Sequence, residues 1–260
     1  MPEILARGTL LSYAVEPEEL NPLDLAIAFV HGSGGDSQDW KYQLTGLSRT
    51  VPIIALELPG HGGSPPPALE RVEAHAQCVM DFVDALGLRK VMLVGCSLGS
   101  AITLSVALSK PSWLTAIGLV GAGARLRVLP ALLEGLKVAP DTALAMLADF
   151  CLSPASAPEV HEEIRQKLLA ATADVVHKDL SACDRFDVMN RLGEISLPAW
   201  IIVGEDDRLT PVKYAQYLNR GLSSSSLTVV PRAGHLVMME QPESFNESLL
   251  RFLSTSGLLS

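Results

Sequence analysis

Residues 91–99 put a serine between two glycines, Gly95-Cys96-Ser97-Leu98-Gly99, directly after the apolar run Val91-Met92-Leu93-Val94 and directly before a strong helical pattern. The pentapeptide alone recurs in Gly/Ser-rich loops, but the apolar run before it and the helical pattern after it make it a strand-to-helix turn. At a turn this tight Ser97 takes a strained backbone conformation, and any side chain at position 95 or 99 collides with neighbouring backbone. The serine hydroxyl is thereby thrust out above the sheet edge, as in a nucleophile elbow. Cys96 inside the motif is read as a buried small hydrophobe, because the middle positions of such turns accept many residue types.

A strand that ends in such a turn needs a sheet around it, and the rest of the chain supplies one. Apolar runs at 8–15, 25–30, 52–57, 90–95, 115–120, 199–204 and 226–230 alternate with amphipathic stretches at 39–48, 68–86, 98–109, 212–221 and 242–254. This is the pattern of an α/β protein, a mostly parallel central sheet with helices on both faces. Several runs are apolar almost throughout, as strands buried on both sides are. The run at 8–15 is expected to pair antiparallel at an edge. Between Gly121 and Pro198 lie about 75 residues, far more than a connection needs. Helix-like stretches at 129–138, 140–151, 157–172 and 174–191, punctuated by Pro130, Pro140, Pro154 and Pro158, fill this interval. The expected organisation is a core domain of residues 1–121 and 198–260 interrupted by a helical cap at 122–197.

Composition narrows the partners. The 260 residues are 48% hydrophobic and 19% charged with a net charge of −9, so the chain has core enough for a large domain and lacks the basic face that nucleic acid requires. No apolar run reaches a membrane span and the N-terminus has no basic-then-apolar block, so the expectation is a cytoplasmic protein without a membrane partner. Cys78, Cys96, Cys151 and Cys183 are scattered with no C-x-x-C pair, which suggests neither a disulfide framework nor a metal site.

A serine hydroxyl is a poor nucleophile unless a base takes its proton. His235, in Ala233-Gly234-His235 between the strand at 226–230 and the last helix, is the candidate base on the same carboxyl-end side of the sheet. A carboxylate has to stand behind that imidazole. The loop after the run Trp200-Ile201-Ile202-Val203 offers Glu205, Asp206 and Asp207, of which spacing favours Asp207 and leaves the other two open. Backbone N–H groups for an oxyanion are expected from Leu98, which follows the serine, and from Ser33 in the loop His31-Gly32-Ser33-Gly34-Gly35. His31 itself is read as a hydrogen-bonder that fixes this loop rather than a second base. Arg125 and Arg127, where the insertion begins, either meet a substrate carboxylate or make structural ion pairs. Trp40 and Met238 either line the pocket or belong to the core.

Together these pieces resemble the α/β-hydrolase superfamily, in particular its compact members with a helical cap, among them carboxylesterases, enol-lactonases and carbon–carbon bond hydrolases. The resemblance spans almost the whole chain. Beyond the elbow and His31-Gly32-Ser33-Gly34 it includes Leu58-Pro59-Gly60-His61-Gly62-Gly63-Ser64, the acid loop from Gly204 to Pro211 and Ala233-Gly234-His235 followed by Glu240-Gln241-Pro242-Glu243. The order Ser97, Asp207, His235 is the order of that superfamily, and the family's acid, three residues after the glycine, falls on Asp207. Many members have Asp where this chain has Glu57, which puts local loop packing in question. A serine at the elbow sets the chain apart from the dehalogenases and epoxide hydrolases of this fold, which use aspartate. The resemblance implies a serine hydrolase of small esters or lactones with no metal or organic cofactor, acting as a monomer or homodimer. C–C bond hydrolysis, lyase action and a non-enzymatic small-ligand receptor are the alternatives it leaves.

Overall fold

The computed structural model describes residues 1–259. Eight strands form one sheet: β1 (Glu3–Ala6), β2 (Thr9–Glu16), β3 (Ala26–Val30), β4 (Ile53–Leu56), β5 (Val91–Cys96), β6 (Leu114–Val120), β7 (Ala199–Gly204) and β8 (Ser225–Val230), in spatial order β1-β2-β4-β3-β5-β6-β7-β8. The pairings from β4 through β8 are parallel, whereas β2 runs antiparallel to both β1 and β4. The expected edge strand at 8–15 is therefore second from the edge. Arg7 and Gly8 both adopt positive φ, at 44° and 94°, and this two-residue reversal folds residues 3–6 back as the true edge.

The pleat sorts the central strands onto two cores. In β3, Ala26, Ala28 and Val30 face one apolar layer and Ile27 and Phe29 the other; in β5, Val91 and Leu93 oppose Met92, Val94 and Cys96 in the same way. On the first face lie α2 (Val72–Ala85), α3 (Leu98–Ser109) and α8 (Val212–Gly221); on the second lie α1 (Lys41–Leu47) and α10 (Pro242–Thr255). The short helix α9 (Val237–Glu240) precedes α10. The expected helix at 68–86 begins only at Val72, after the Pro65-Pro66-Pro67 run.

Residues 122–197, between β6 and β7, hold four helices: α4 (Pro130–Val138), α5 (Pro140–Cys151), α6 (Pro158–Ala170) and α7 (Ala173–Arg185). Prolines open three of them at the first helical turn, where a missing N–H costs nothing. Helix α7 stops at Arg185, short of the expected 191, because Phe186 turns extended. There the two ends of the insertion are zipped together: Leu126 N–H donates to Phe186 O (3.4 Å) and Val188 N–H to Ala124 O (2.8 Å). Apolar side chains of all four helices, among them Leu132, Leu147, Ile164 and Leu180, pack with the second core. The insertion is thus seated over the carboxyl ends of the strands, the side on which β5 delivers Ser97. Among the described residues no helix is long and apolar enough to cross a membrane.

Candidate active site

Ser97 has φ 55° and ψ −114°, a conformation that costs a non-glycine residue about 1–3 kcal/mol. Close packing enforces it. A Cβ on Gly95 would land on the backbone of Gly99, and one on Gly99 would land on the carbonyl oxygen of Val30. Only glycines let β5 and α3 approach each other and β3 this closely. The serine backbone is pinned on both sides, its N–H donating to Val120 O (3.0 Å) and its carbonyl accepting from Ser100 N–H (2.9 Å) and Ser100 Oγ (2.6 Å).

The acid loop resolves its three candidates. Glu205 is exposed, and Asp206 accepts from Ser153 Oγ at 2.5 Å. Asp207 is the one brought to the imidazole: its Oδ2 lies 2.8 Å from His235 Nδ1. The remaining lone pairs of Asp207 are taken by Leu209 N–H (2.9 Å), Thr210 N–H (2.8 Å) and Thr210 Oγ1 (2.8 Å). Burial works against its charge, but His235 and these donors outweigh it and hold the carboxyl below its ordinary pKa. For His235 burial again disfavours the cation, yet the charge and hydrogen bond of Asp207, with Glu240 behind, lift the imidazole above its ordinary value.

Three further groups position His235. Gly121, at φ 52°, is where a Cβ would meet the ring at 2.8 Å, so glycine makes room for the imidazole. Thr210 braces both ring and acid, with Oγ1 3.2 Å from Nδ1. Glu240 gathers the histidine loop, accepting from Gly234 N–H (2.9 Å) and Leu236 N–H (3.1 Å), and reaches across to Ser153 N–H (2.8 Å) on the insertion. Its place soon after the Ala-Gly-His loop was the one sequence cue to that role.

On the opposite wall, His31 donates from Nδ1 to Gly32 O (2.7 Å) and accepts Leu58 N–H at Nε2 (3.0 Å). One acceptor and one donor define a neutral ring, and burial first, then His61, pushes its pKa well below the usual range. His31 is a brace for the loop. Ser33 beside it lines a cavity of about 60 Å³ with Ser97, Gly34 and His235. Within the described residues no group accepts the N–H of Ser33 or of Leu98; Leu98 opens α3, where amides have no partner inside the helix. Two further buried polar atoms in this cavity, Ser33 Oγ and His235 Nε2, have no partner among the described residues. Glu57 fits its loop, accepting from Ser37 Oγ (2.7 Å) and Gly63 N–H (2.5 Å).

A larger chamber of about 240 Å³ opens from the other side of Ser97, lined by Leu209 and Thr210 and, from the insertion, by Leu132, Met146, Phe150 and Leu180. Arg208 at its rim is tied down, donating to the carbonyls of Asp149 and Leu152 and lying 4.9 Å over the Phe150 ring. Trp40 and Met238 do not reach either cavity: both are fully buried, and Trp40 stacks on Phe29 at 4.4 Å. An apolar residue near a site reads the same in sequence whether it faces the pocket or the core. Cys96 is fully buried, and desolvation raises its thiol well above the ordinary range, so it stays protonated.

The profile of the Alpha/beta hydrolase family matches residues 27–248. The putative carbamate hydrolase RutD of Agrobacterium fabrum is 30% identical over 238 residues, which cover 85% of this chain and 90% of that protein. The dihydrolipoyllysine-residue acetyltransferase component of an acetoin cleaving system from Pseudomonas putida is 30% identical over 246 residues, and the chain spans 63% of its length. The structure of a thermophilic esterase superimposes with a TM-score of 0.87 at 36% identity, covering 98% of each chain.

Proposed function

This chain belongs to the alpha/beta hydrolase family, and from that premise we propose that it is a serine hydrolase of small carboxylic esters or lactones, working through an acyl-enzyme on Ser97. The single observation that carries the reading is the division of labour on the His235 ring. Nδ1 is committed to Asp207 at 2.8 Å, while the buried Nε2 is unpartnered and lines the same cavity as Ser97. A ring held in that tautomer by a carboxylate has its basic nitrogen available for the serine proton. The Ser97–His235 hydrogen bond is not made in this structure; such contacts commonly close only in the substrate complex.

In the proposed cycle Ser97 Oγ attacks the carbonyl carbon as its proton passes to His235 Nε2. The Ser33 and Leu98 N–H groups hold the oxyanion. The C–O bond to the leaving group then breaks, and His235 returns the proton to the departing alkoxide. Water, deprotonated by the same nitrogen, attacks the acyl-enzyme and releases a carboxylic acid and free Ser97. The helices of 122–197 act as a cap that shapes the acyl and alcohol subsites.

The test is turnover of p-nitrophenyl butyrate, with fluorophosphonate labelling alongside. Ser97→Ala is expected to lose labelling and at least about 10⁴-fold in kcat. Undiminished turnover in that variant overturns the scheme, and cleavage of a vinylogous diketone without ester turnover moves the reaction to a carbon–carbon bond.

A further inference from the structure

Beside the Ser97 chamber, the start of the insertion and helix α8 enclose a second concavity of about 240 Å³. Its charge runs against that of the chain. The protein carries 29 acidic and 20 basic side chains, yet this lining holds Arg125, Arg127, Lys213 and Arg220 and no acidic residue. Helix α8 gathers Lys213, Tyr217 and Arg220 on one face by their spacing of four and three residues. Among the described residues the nearest carboxylate to any of the four is Asp187, 3.9 Å from Arg125, with both side chains about half exposed; such a pair neutralises little. Arg127 donates to the carbonyl of Asp184, which aims the guanidinium without cancelling its charge. Four cations around one hollow produce a focused positive potential on an otherwise acidic molecule.

The hollow adjoins the chamber that reaches Ser97, with Arg127 and Tyr214 lining both. Between the basic end and the serine the walls are largely apolar. We infer that the substrate carries, apart from its scissile bond, an anionic group of the carboxylate or phosphate class that docks among Arg125, Arg127, Lys213 and Arg220 while its apolar middle spans the chamber. Guanidinium groups recognise both anions through paired hydrogen bonds. This inference rests on the ester-hydrolase reading and names the substrate class for that same site.

Three esters that share one leaving group test it at low ionic strength: neutral p-nitrophenyl valerate, mono-p-nitrophenyl glutarate and p-nitrophenyl 4-phosphonobutyrate. One anionic ester is expected to exceed the neutral one in kcat/KM by about tenfold or more, and which one does so separates carboxylate from phosphate. The double variant Lys213→Gln, Arg220→Gln is expected to remove most of that advantage while the neutral ester stays within about twofold. In parallel, glutarate and inorganic phosphate are titrated calorimetrically into Ser97→Ala protein with and without the two glutamines, which reads anion binding without turnover. Equal or slower turnover of both anionic esters, or a preference that survives the double variant, overturns the inference. Should no ester turn over while an anion binds in a Lys213- and Arg220-dependent way, the anion site stands and the hydrolysis reading falls. Absence of both turnover and binding removes both.

Discussion

The two walls around Ser97 are built in different ways. The sheet wall is held by close backbone packing: Gly95 and Gly99 have no room for a Cβ, and Ser97 is strained because β5 and α3 leave it no alternative. The insertion wall is apolar toward the chamber and, besides its apolar packing on the second core, is joined to the loops of the sheet wall by charge-assisted contacts. Asp179 on α7 accepts from Gly34 N–H (3.1 Å) and pairs with His61 (2.9 Å), and Lys167 on α6 donates to Asp36 (2.8 Å) and Asp39 (2.5 Å). Packing of the first kind fixes atoms to fractions of an ångström, whereas charge-assisted contacts fix where a layer sits and depend on pH and salt. The chemistry proposed here stands on the rigid wall, and the apolar part of substrate selection on the adjustable one.

The largest effect expected on the rigid wall is from Asp207→Asn. The amide preserves shape but cannot hold His235 in the right tautomer or stabilise the imidazolium, so kcat is expected to fall about 10³- to 10⁴-fold. The sign of the pH dependence follows from the charges. The base must be neutral, so kcat/KM rises with pH through the pKa of His235, which Asp207 holds above its ordinary value. In Asp207→Asn that lift is gone, and the acid limb of the residual activity is expected to move to lower pH. A limb that stays put would mean that another group titrates in the wild type.

The rigid wall is also the legible one. Ser97, Leu98 and the helix after them are specified by five consecutive residues, and β3, β5 and β7 read as strands because burial on both faces leaves no polar position in them. Asp207 and His235 lie in loops that follow recognisable strands, so topology alone aims them at one edge. The insertion's helices could be bounded from prolines, but not the contacts that seat them. Asp179 meets His61 across 118 positions and Gly34 across 145, and no local pattern marks such a pair. The β1 hairpin was hidden for another reason, since residues 3–6 are only partly buried and carry little apolar signal.

Breaking the insertion wall at Asp179 is expected to have an intermediate effect. His61 faces two acceptors, with Nδ1 3.2 Å from Pro59 O and Nε2 2.9 Å from Asp179 Oδ2. Both nitrogens therefore donate, which suits the cation, in contrast to neutral His31 beside it with ring centroids 4.8 Å apart. Burial opposes the charge on His61, but the carboxylate of Asp179 outweighs it and raises the pKa. Asp179→Asn is expected to cost about 1–3 kcal/mol in urea unfolding. The share due to the cation is fully present below the unfolded pKa of histidine and disappears as pH rises through the raised folded value, so the gap between wild type and variant narrows toward alkaline pH. Because Asp179 also holds the Gly34 N–H beside Ser33, ester turnover is expected to drop about tenfold. A stability gap that does not depend on pH would show that His61 is neutral in the fold.

The smallest effect is expected where the same wall meets solvent. Lys41 donates to Glu163 on α6 at 2.6 Å, shorter than the Lys167–Asp36 contact at 2.8 Å, yet its side chains are 33% and 36% exposed, against 17% and 25% for that pair. Distance and energetic weight therefore point in opposite directions, and exposure decides. Water already solvates both partners of the Lys41 pair, so Lys41→Met is expected to change stability by no more than about 0.5 kcal/mol and turnover by less than about twofold. Lys167, by contrast, compensates Asp39, whose carboxyl burial has already raised above its ordinary pKa. A loss from Lys41→Met as large as that from Asp179→Asn, measured by the same urea transition and ester assay, would mean that α6 is anchored from its solvent rim rather than from the buried side beside the Ser33 loop, and the contrast between the two walls would have to be redrawn along that line.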